Sequence, residues 1–273
     1  MPFEVTNDLY VPLHASYGKD KVRVLRVARQ GVWDHVVEYN VTILVEGDIN
    51  DSFTKADNSV VVATDSNLAK VSPHVMDPEI FALHLGTHVV SRYSHIHKAY
   101  ITIEQLRWSR IPINDTNSPK GELIGHTHSF LRDGDDKRVI KVEVEESEGK
   151  DKLSGSVSAG ITDLLVLKSR GSAFKSFIRD EYTTLAEVDD RILSTAVDLQ
   201  YTFAPIHLAA PKDEKKLDFE LGENVKGSVW DAQGVAQRAR DLTLKVFAED
   251  DSPSVQVAWS SLFTFIPSNF PNI

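Results

Sequence analysis

The chain contains no cysteine. Disulfides, thiolate nucleophiles and cysteine-held metals are thereby excluded, and the absence fits a reducing compartment. No stretch approaches the roughly 20 apolar residues that a bilayer-spanning helix needs, and Met1-Pro2-Phe3-Glu4 has neither the basic start nor the apolar core of a secretory signal. The expectation is a soluble, intracellular protein with no membrane partner. Positive charge is in short supply: 30 Lys and Arg stand against 40 Asp and Glu, for a formal net charge of −10. A broad nucleic-acid surface needs a basic face to displace counterions from phosphates, so nucleic acid is not an expected partner. An anionic ligand would need local positive groups. A Gly-rich dinucleotide loop is also missing, so redox chemistry, if present, does not rest on that motif.

What is present is ordinary for a globular chain. With 273 residues, 41% hydrophobic and 26% charged, it can bury a substantial core as one large or two modest domains. Period-two runs at Val22–Val27 and Val41–Val45, the second ending in the turn-like Glu46-Gly47-Asp48, predict an antiparallel hairpin. Pro78 suits a first helical turn, and Phe81, Leu85, His88 and Val89 follow at helical spacing. Ile101 and Ile103, then Ile140, Val142 and Val144, alternate with polar residues as in a sheet with one dry and one wet face. A Pro-, Asn- and Gly-containing loop is expected at 112–125 between them.

The order strand, strand, helix, strand, strand then begins to recur. Ile161–Leu167 reads as a strand, and Thr184–Leu193 as a helix opened by a Thr184/Glu187 capping box. Leu199–Phe203 reads as the next strand. Val229–Ala248 reads as a long amphipathic helix with Val235, Ala239, Leu242, Val246 and Phe247 on its apolar side. The charged, turn-rich Arg132-Asp133-Gly134-Asp135-Asp136-Lys137-Arg138 suggests a boundary, dividing the chain into units 1–134 and 135–273. The pattern as a whole is α+β with antiparallel sheets.

Histidines raise a metal question. His84 and His88 are four apart on the expected helix, and His95/His97 and His126/His128 are two apart. Such spacings can chelate zinc or copper, and they equally serve structural, hydrogen-bonding histidines.

The most particular stretch is Val166-Leu167-Lys168-Ser169-Arg170-Gly171-Ser172-Ala173-Phe174, followed by Phe177-Ile178-Arg179-Asp180-Glu181-Tyr182-Thr183-Thr184-Leu185. With Tyr17-Gly18-Lys19, Phe53-Thr54-Lys55-Ala56-Asp57-Asn58-Ser59, Ala63-Thr64-Asp65-Ser66, Leu85-Gly86-Thr87-His88, His128-Ser129-Phe130 and Asp190-Arg191-Ile192-Leu193-Ser194-Thr195, it resembles the urate oxidase family from Tyr17 to about Gln256. The resemblance implies two tandem tunnelling-fold units, each an antiparallel sheet backed by helices, in a homotetramer with sites between subunits. It implies urate and dioxygen as partners, 5-hydroxyisourate and hydrogen peroxide as products, and neither metal nor other cofactor.

Carried over residue by residue, Lys19 and Thr64 match the family's catalytic pair. A lysine beside a threonine hydroxyl can take up a proton and leave the purine electron-rich. Asp65 matches a backbone contact to the ligand, and Val255 and Gln256 fall among the substrate-binding positions. Phe174 matches the aromatic floor. Arg191 and Gln256 match the pair that grips the urate edge, the one a rigid fork of donors and the other both donor and acceptor. Taken singly, each of these residues reads as surface or core, and Arg191 beside Asp189 and Asp190 as a salt-bridged helix face.

Two departures are expected to matter: a short deletion behind Ser66, and a tail after Gln256 that resembles nothing in the family, so that the second unit lacks closing strands with an Asn and a His of the site. The rival readings are a catalytically impaired remnant that binds purines or joins other subunits, and a zinc-dependent pterin enzyme of the same superfold. The resemblance gives a peroxisomal address, whereas the sequence ends Pro271-Asn272-Ile273 rather than in a Ser-Lys-Leu-type tripeptide, which leaves the cytoplasm as the alternative.

Overall fold

The computed structural model describes residues 15–62, 71–115, 122–210, 217, 219–221 and 230–249. Its strands form one antiparallel sheet. β1 (Tyr17–Gln30) and β2 (Trp33–Gly47) make the expected hairpin, with Val24 opposite Tyr39 and Gln30 opposite Trp33 across Gly31 and Val32. β3 (Ile96–Asn114) pairs with β2 and with β4 (Leu123–Glu146), placing Ile101 against Val142 and Ile103 against Ile140. β5 (Lys152–Phe174) follows β4. Along its other side run β6 (Val188–Thr202) and then β7 (Ile206–Ala209), with β8 (Phe219–Leu221) beyond β7. Among the described residues β1 forms one edge, and β6 with β8 the other.

Helices cover one face. After a short α1 (Asn50–Thr54), α2 (Pro78–Arg92) begins where Asp77 caps it, its carboxylate accepting from the Ile80 amide at 3.1 Å. Gly86 lets this helix approach the sheet closely, because a Cβ there would lie 2.6 Å from the Val144 side chain. Phe81, Leu83 and Leu85 pack with Tyr39, Ile101, Ile103 and Ile140 into the main core. The amphipathic helix α3 spans Ala232–Glu249 and buries Val235 and Ala239 as the pattern requires. Its far end packs Leu244 and Phe247 on a smaller cluster of Ile161, Leu164, Val166 and Val197.

Two sequence expectations, the helix at 184–193 and the extent of the loop at 112–125, are corrected. Residues 188–202 are strand, not helix. Glu187 does not close a capping box but accepts from the Ser176 amide at 3.2 Å, while Asp180 organises its own turn by accepting from the Tyr182 amide and the Thr183 hydroxyl. Local capping chemistry lost to cross-strand pairing along β5, which also engages the β-branched Val188, Thr195 and Val197. The charged run 132–138 lies inside β4. Residues 133–136 bulge opposite the single Arg107, whose guanidinium pairs with Asp133 and Asp136 at 2.8 Å each. The loop at 112–125 is shorter than expected, since Pro112 still pairs with Gly125 and Asn114 with Leu123. The tail after Gln256 and the segment behind Ser66 lie outside the described residues.

Candidate active site

Arg191 stands on β6 opposite Ser172 of β5, and the ladder then shifts so that Phe174 faces Val188. This irregularity brings the guanidinium over the aromatic ring, with Cζ 4.5 Å from its centroid. Such a contact contributes about 0.5–2 kcal/mol. The Arg191 Nε is buried and has no hydrogen-bond partner among the described residues. A buried donor left unpaired costs about 1–3 kcal/mol, so the arrangement suits a site where a ligand supplies the acceptor. The neighbouring turn is held by Asp190, which accepts from the Gly171 amide at 2.6 Å, Gly171 having φ of 78°. Lys175 pairs with Asp189. Arg191 thus belongs to a strand end fixed by its acidic neighbours rather than to a helix face paired with them.

The ring floor is broader than the sequence suggested. Phe177 stacks on Phe174 with centroids 4.7 Å apart and planes 19° from parallel, and Arg179 lies 4.8 Å over Phe177. The three-residue spacing of two phenylalanines was the available signal. In a chain with 12 phenylalanines it was too weak to read alone.

Lys19 is exposed near the start of β1, opposite Ile43, just before the ladder slips between Lys19 and Val22. In the order of strands, β2, β3 and β4 separate it from the β5–β6 pair that carries Phe174 and Arg191. Four steps of roughly 4.8 Å separate them by about 19 Å across the strands alone, and the register carries Lys19 by way of Ile43, Ile101 and Val142 to Val157, far along β5 from Phe174. The structure therefore brings Phe174 and Arg191 together and sets Lys19 at the opposite edge. Thr64, Asp65, Val255 and Gln256 lie outside the described residues.

A group near Lys19 escaped the sequence reading. The Tyr17 hydroxyl accepts from the Val62 amide, and the His95 Nε2 meets the Val60 carbonyl at 3.0 Å. Of the histidine pairs noted in the sequence, His84 Nδ1 meets the Ser72 hydroxyl at 2.9 Å, His97 reaches Glu146 and Asp48, and His126 lies edge-on to His128. No group of three or more His, Asp or Glu side chains among the described residues is arranged so that it could hold a metal ion.

Comparison with known proteins shows what the chain as a whole is similar to. The model of the family described as "Uricase" matches residues 15–143 and 157–264. The match runs past Gln256, so the segment expected to resemble nothing in the family is in part within it. A uricase of Emericella nidulans is 44% identical over 251 residues, covering 89% of this chain and 74% of its own. A uricase of Schizosaccharomyces pombe is 34% identical over 265 residues, 94% of this chain and 80% of its own. Among solved structures, the uricase of Arthrobacter globiformis superposes with a TM-score of 0.71 at 30% identity, covering 95% of this chain and 78% of that one. The α+β antiparallel tunnelling fold follows from these neighbours, and the chain belongs to the uricase family.

Proposed function

We propose that the protein is a urate oxidase that converts urate, dioxygen and water to 5-hydroxyisourate and hydrogen peroxide. Two electrons leave the purine and reduce dioxygen, which gains two protons, while the hydroxyl of water is added to the ring. The observation that carries the reading is the Arg191 guanidinium stacked on Phe174 with a buried donor unmet, within a chain of this family. A flat anionic heterocycle could lie against such an aromatic floor and accept from the fork of donors. Gln256 and Val255 would complete the grip, and Asp65 would offer its backbone amide. Lys19, acting with Thr64, would take up the proton whose removal makes the purine electron-rich enough to give its electrons directly to dioxygen. In this reading the chain supplies binding and proton transfer, and neither metal nor flavin is called for.

The separation of Lys19 from Phe174 and Arg191 supports a site pooled from two copies. Sheet edges with unpaired backbone groups invite strand pairing with another chain. Edge-to-edge association of β1 from one copy with the β6 side of another would bring the two half-sites toward each other. The proposed assembly is the homotetramer, and the proposed compartment is the peroxisome, which imaging of the tagged protein against a peroxisomal marker tests.

The test of activity is loss of urate absorbance with stoichiometric release of peroxide. Absence of both from the purified protein would refute the reading. Pooling is tested by complementation. Lys19→Met and Arg191→Met homomers should each be impaired roughly tenfold or more in kcat/KM, whereas refolding them together should restore part of the rate, because some interfaces then unite an intact Lys19 with an intact Arg191. No recovery in verified hybrids would place the whole site in one subunit.

A further inference from the structure

We infer that Phe177 is a positioning residue for the aromatic floor, backing Phe174 on the face turned away from the ligand and held there in turn by Arg179. The inference rests on the proposed roles of Phe174 and Arg191 in gripping urate. Along a regular strand, residues three apart point to opposite faces and lie about 10 Å from one another, so a straight continuation of β5 would keep Phe174 and Phe177 apart. They meet because the chain turns back at once. β5 ends at Phe174, and Ser176 takes a φ of 57°, a left-handed backbone conformation that a serine adopts at some cost. Acidic residues around the start of β6 secure the turn: Lys175 pairs with Asp189, and the Glu187 carboxylate accepts from the Ser176 amide at 3.2 Å.

The outcome is a stack of four groups. The Arg191 guanidinium, the Phe174 ring, the Phe177 ring and the Arg179 guanidinium succeed one another at 4.5, 4.7 and 4.8 Å. The charges explain why two rings lie nearly parallel here. Facing aromatic rings present like-signed π clouds to each other, whereas a cation over the outer face of each ring is attracted to it. Each ring thus gives one face to its neighbour and the other to a guanidinium. This stack is not part of the fold's interior. Both rings are only partly buried, neither belongs to the two core clusters of the described residues, and Ile178 beside them is 96% exposed. The orientation of the Phe174 ring is therefore set locally, and Phe177 is the flat group that sets it.

The consequence falls on the ligand. A flat anion that accepts from Arg191 lies on the side of Phe174 that Arg191 overlooks, which leaves the opposite side to Phe177. A ring with nothing behind it can turn about its side-chain torsions, and a tilted floor no longer lies parallel to the plane in which the guanidinium donates. Phe177 acts only through Phe174 in this arrangement, and Lys19 stands at the opposite edge of the sheet. Its loss should therefore weaken the hold on urate and leave the proton transfer as it was.

The test is steady-state kinetics of the full chain with urate for Phe177→Ala, Phe174→Leu and the pair, with Phe177→Tyr as the conservative variant. The expected result is a KM raised roughly three- to tenfold by Phe177→Ala with kcat within about twofold, a KM within about twofold of wild type for Phe177→Tyr, and no further rise when Phe177→Ala is added to Phe174→Leu. An unchanged KM in Phe177→Ala, or a rise by the same factor on both backgrounds, overturns the inference while turnover by the wild-type protein keeps the proposed function standing. Absence of urate loss and of peroxide release in the wild type overturns the reading beneath it. A fall in kcat at unchanged KM also overturns the inference, because Phe177 would then act on the chemical step. Should Phe177→Ala fail to fold, Arg179→Gln keeps both rings and removes the outer cation. It must then raise KM about two- to fivefold and be masked in the same way by Phe174→Leu, and an unchanged KM there counts against the inference equally.

Discussion

The part of the sheet beneath α2 and the arm formed by the far ends of β5 and β6 differ in how completely they are closed. Under α2, Tyr39, Phe81, Leu83, Ile101, Ile103 and Ile140 have almost no exposed surface, and the Tyr39 hydroxyl reaches the Val75 carbonyl at 2.8 Å. On the arm, four buried side chains meet the end of α3, while Leu165, Leu167 and Ile192 on the opposite face are 60–72% exposed and Ile178 in the following loop is 96% exposed. The contrast extends to two arginines. Arg138 is met by the buried Glu79 carboxylate at 2.5 Å and by the Ala232 carbonyl at 3.3 Å, although its Nε, like that of Arg191, has no partner among the described residues. Arg191 lies against a ring and keeps a buried Nε without a partner among the described residues. One guanidinium is engaged by a buried carboxylate and the other lies against an aromatic ring.

Exchanging the roles of these arginines is the sharpest way to break the comparison. Arg138→Met leaves Glu79 buried and uncompensated, and the expected loss is about 3–5 kcal/mol of unfolding free energy, read from urea midpoints. The pH dependence has a definite sign. Burial, outweighing the pull of Arg138, raises the Glu79 carboxyl above its ordinary value. A raised folded-state pKa means that protonation favours the folded state, so the cost of the charge appears as pH rises through the carboxylate range. Without Arg138 that cost grows, and the deficit of the variant should be smallest at acid pH and widen toward neutrality. Arg191→Met should do the reverse. Loss of charge-assisted bonds to urate, about 1.5–3 kcal/mol, lowers kcat/KM roughly 10- to 150-fold, with unfolding free energy within about 0.5 kcal/mol of wild type. If Arg191→Met unfolds as readily as Arg138→Met, the comparison fails.

The same contrast explains what could be read from the sequence. The closed region was legible because its signals agree. Alternation at Ile101/Ile103 and Ile140/Val142/Val144, and Pro78 with Phe81, Leu85 and Val89, each point to the element that the core then demands. On the arm, and at the bulge of β4, the local and global signals conflict. Thr184 and Glu187 have the chemistry of a helix start, and the acidic cluster at Asp133–Asp136 has that of a turn, yet cross-strand pairing and the Arg107 bridge decide both. Phe174 and Arg191 were found through resemblance, not through pattern, because a phenylalanine and an arginine 17 positions apart carry no periodic signal; only the ladder shift between Ser172 and Phe174 brings them together. The Tyr17–Val62 contact was invisible for a related reason. A side chain gripping a backbone amide 45 residues away leaves no trace in the residue it grips.

A smaller effect separates the floor from the fork. Phe174→Leu keeps an apolar contact and loses the stacked ring, which is worth about 0.5–1.5 kcal/mol beyond area. The expected change is a two- to tenfold rise in KM for urate with kcat little altered, as befits a group that holds the ring without moving its protons. A fall in kcat with unchanged KM would instead mean that the floor acts only in the transition state.

The smallest effect probes the closed region through a histidine. His97, at the start of β3, reaches Glu146 at 3.0 Å and Asp48 at 3.3 Å, joining the ends of β2, β3 and β4. The hydrogen bond to Glu146 is the chief cause that raises its pKa above the ordinary value, with Asp48 adding to it and burial and Lys150 opposing. A raised folded-state pKa makes the contribution full below about pH 6.5, the unfolded value, and lost as pH rises through the folded value. His97→Gln should therefore lower the melting temperature on the acid side and match wild type at alkaline pH. The side chain is 47% exposed, so solvent screens the interaction, the shift stays well below that of Arg138→Met, and added salt shrinks it further. Urate turnover should not respond, because charges at these strand ends secure a region already closed and touch neither half of the proposed site. A pH-dependent change in kcat in this variant, with its melting temperature unmoved, would show that the closed region takes part in the chemistry, and the division between the two would have to be redrawn.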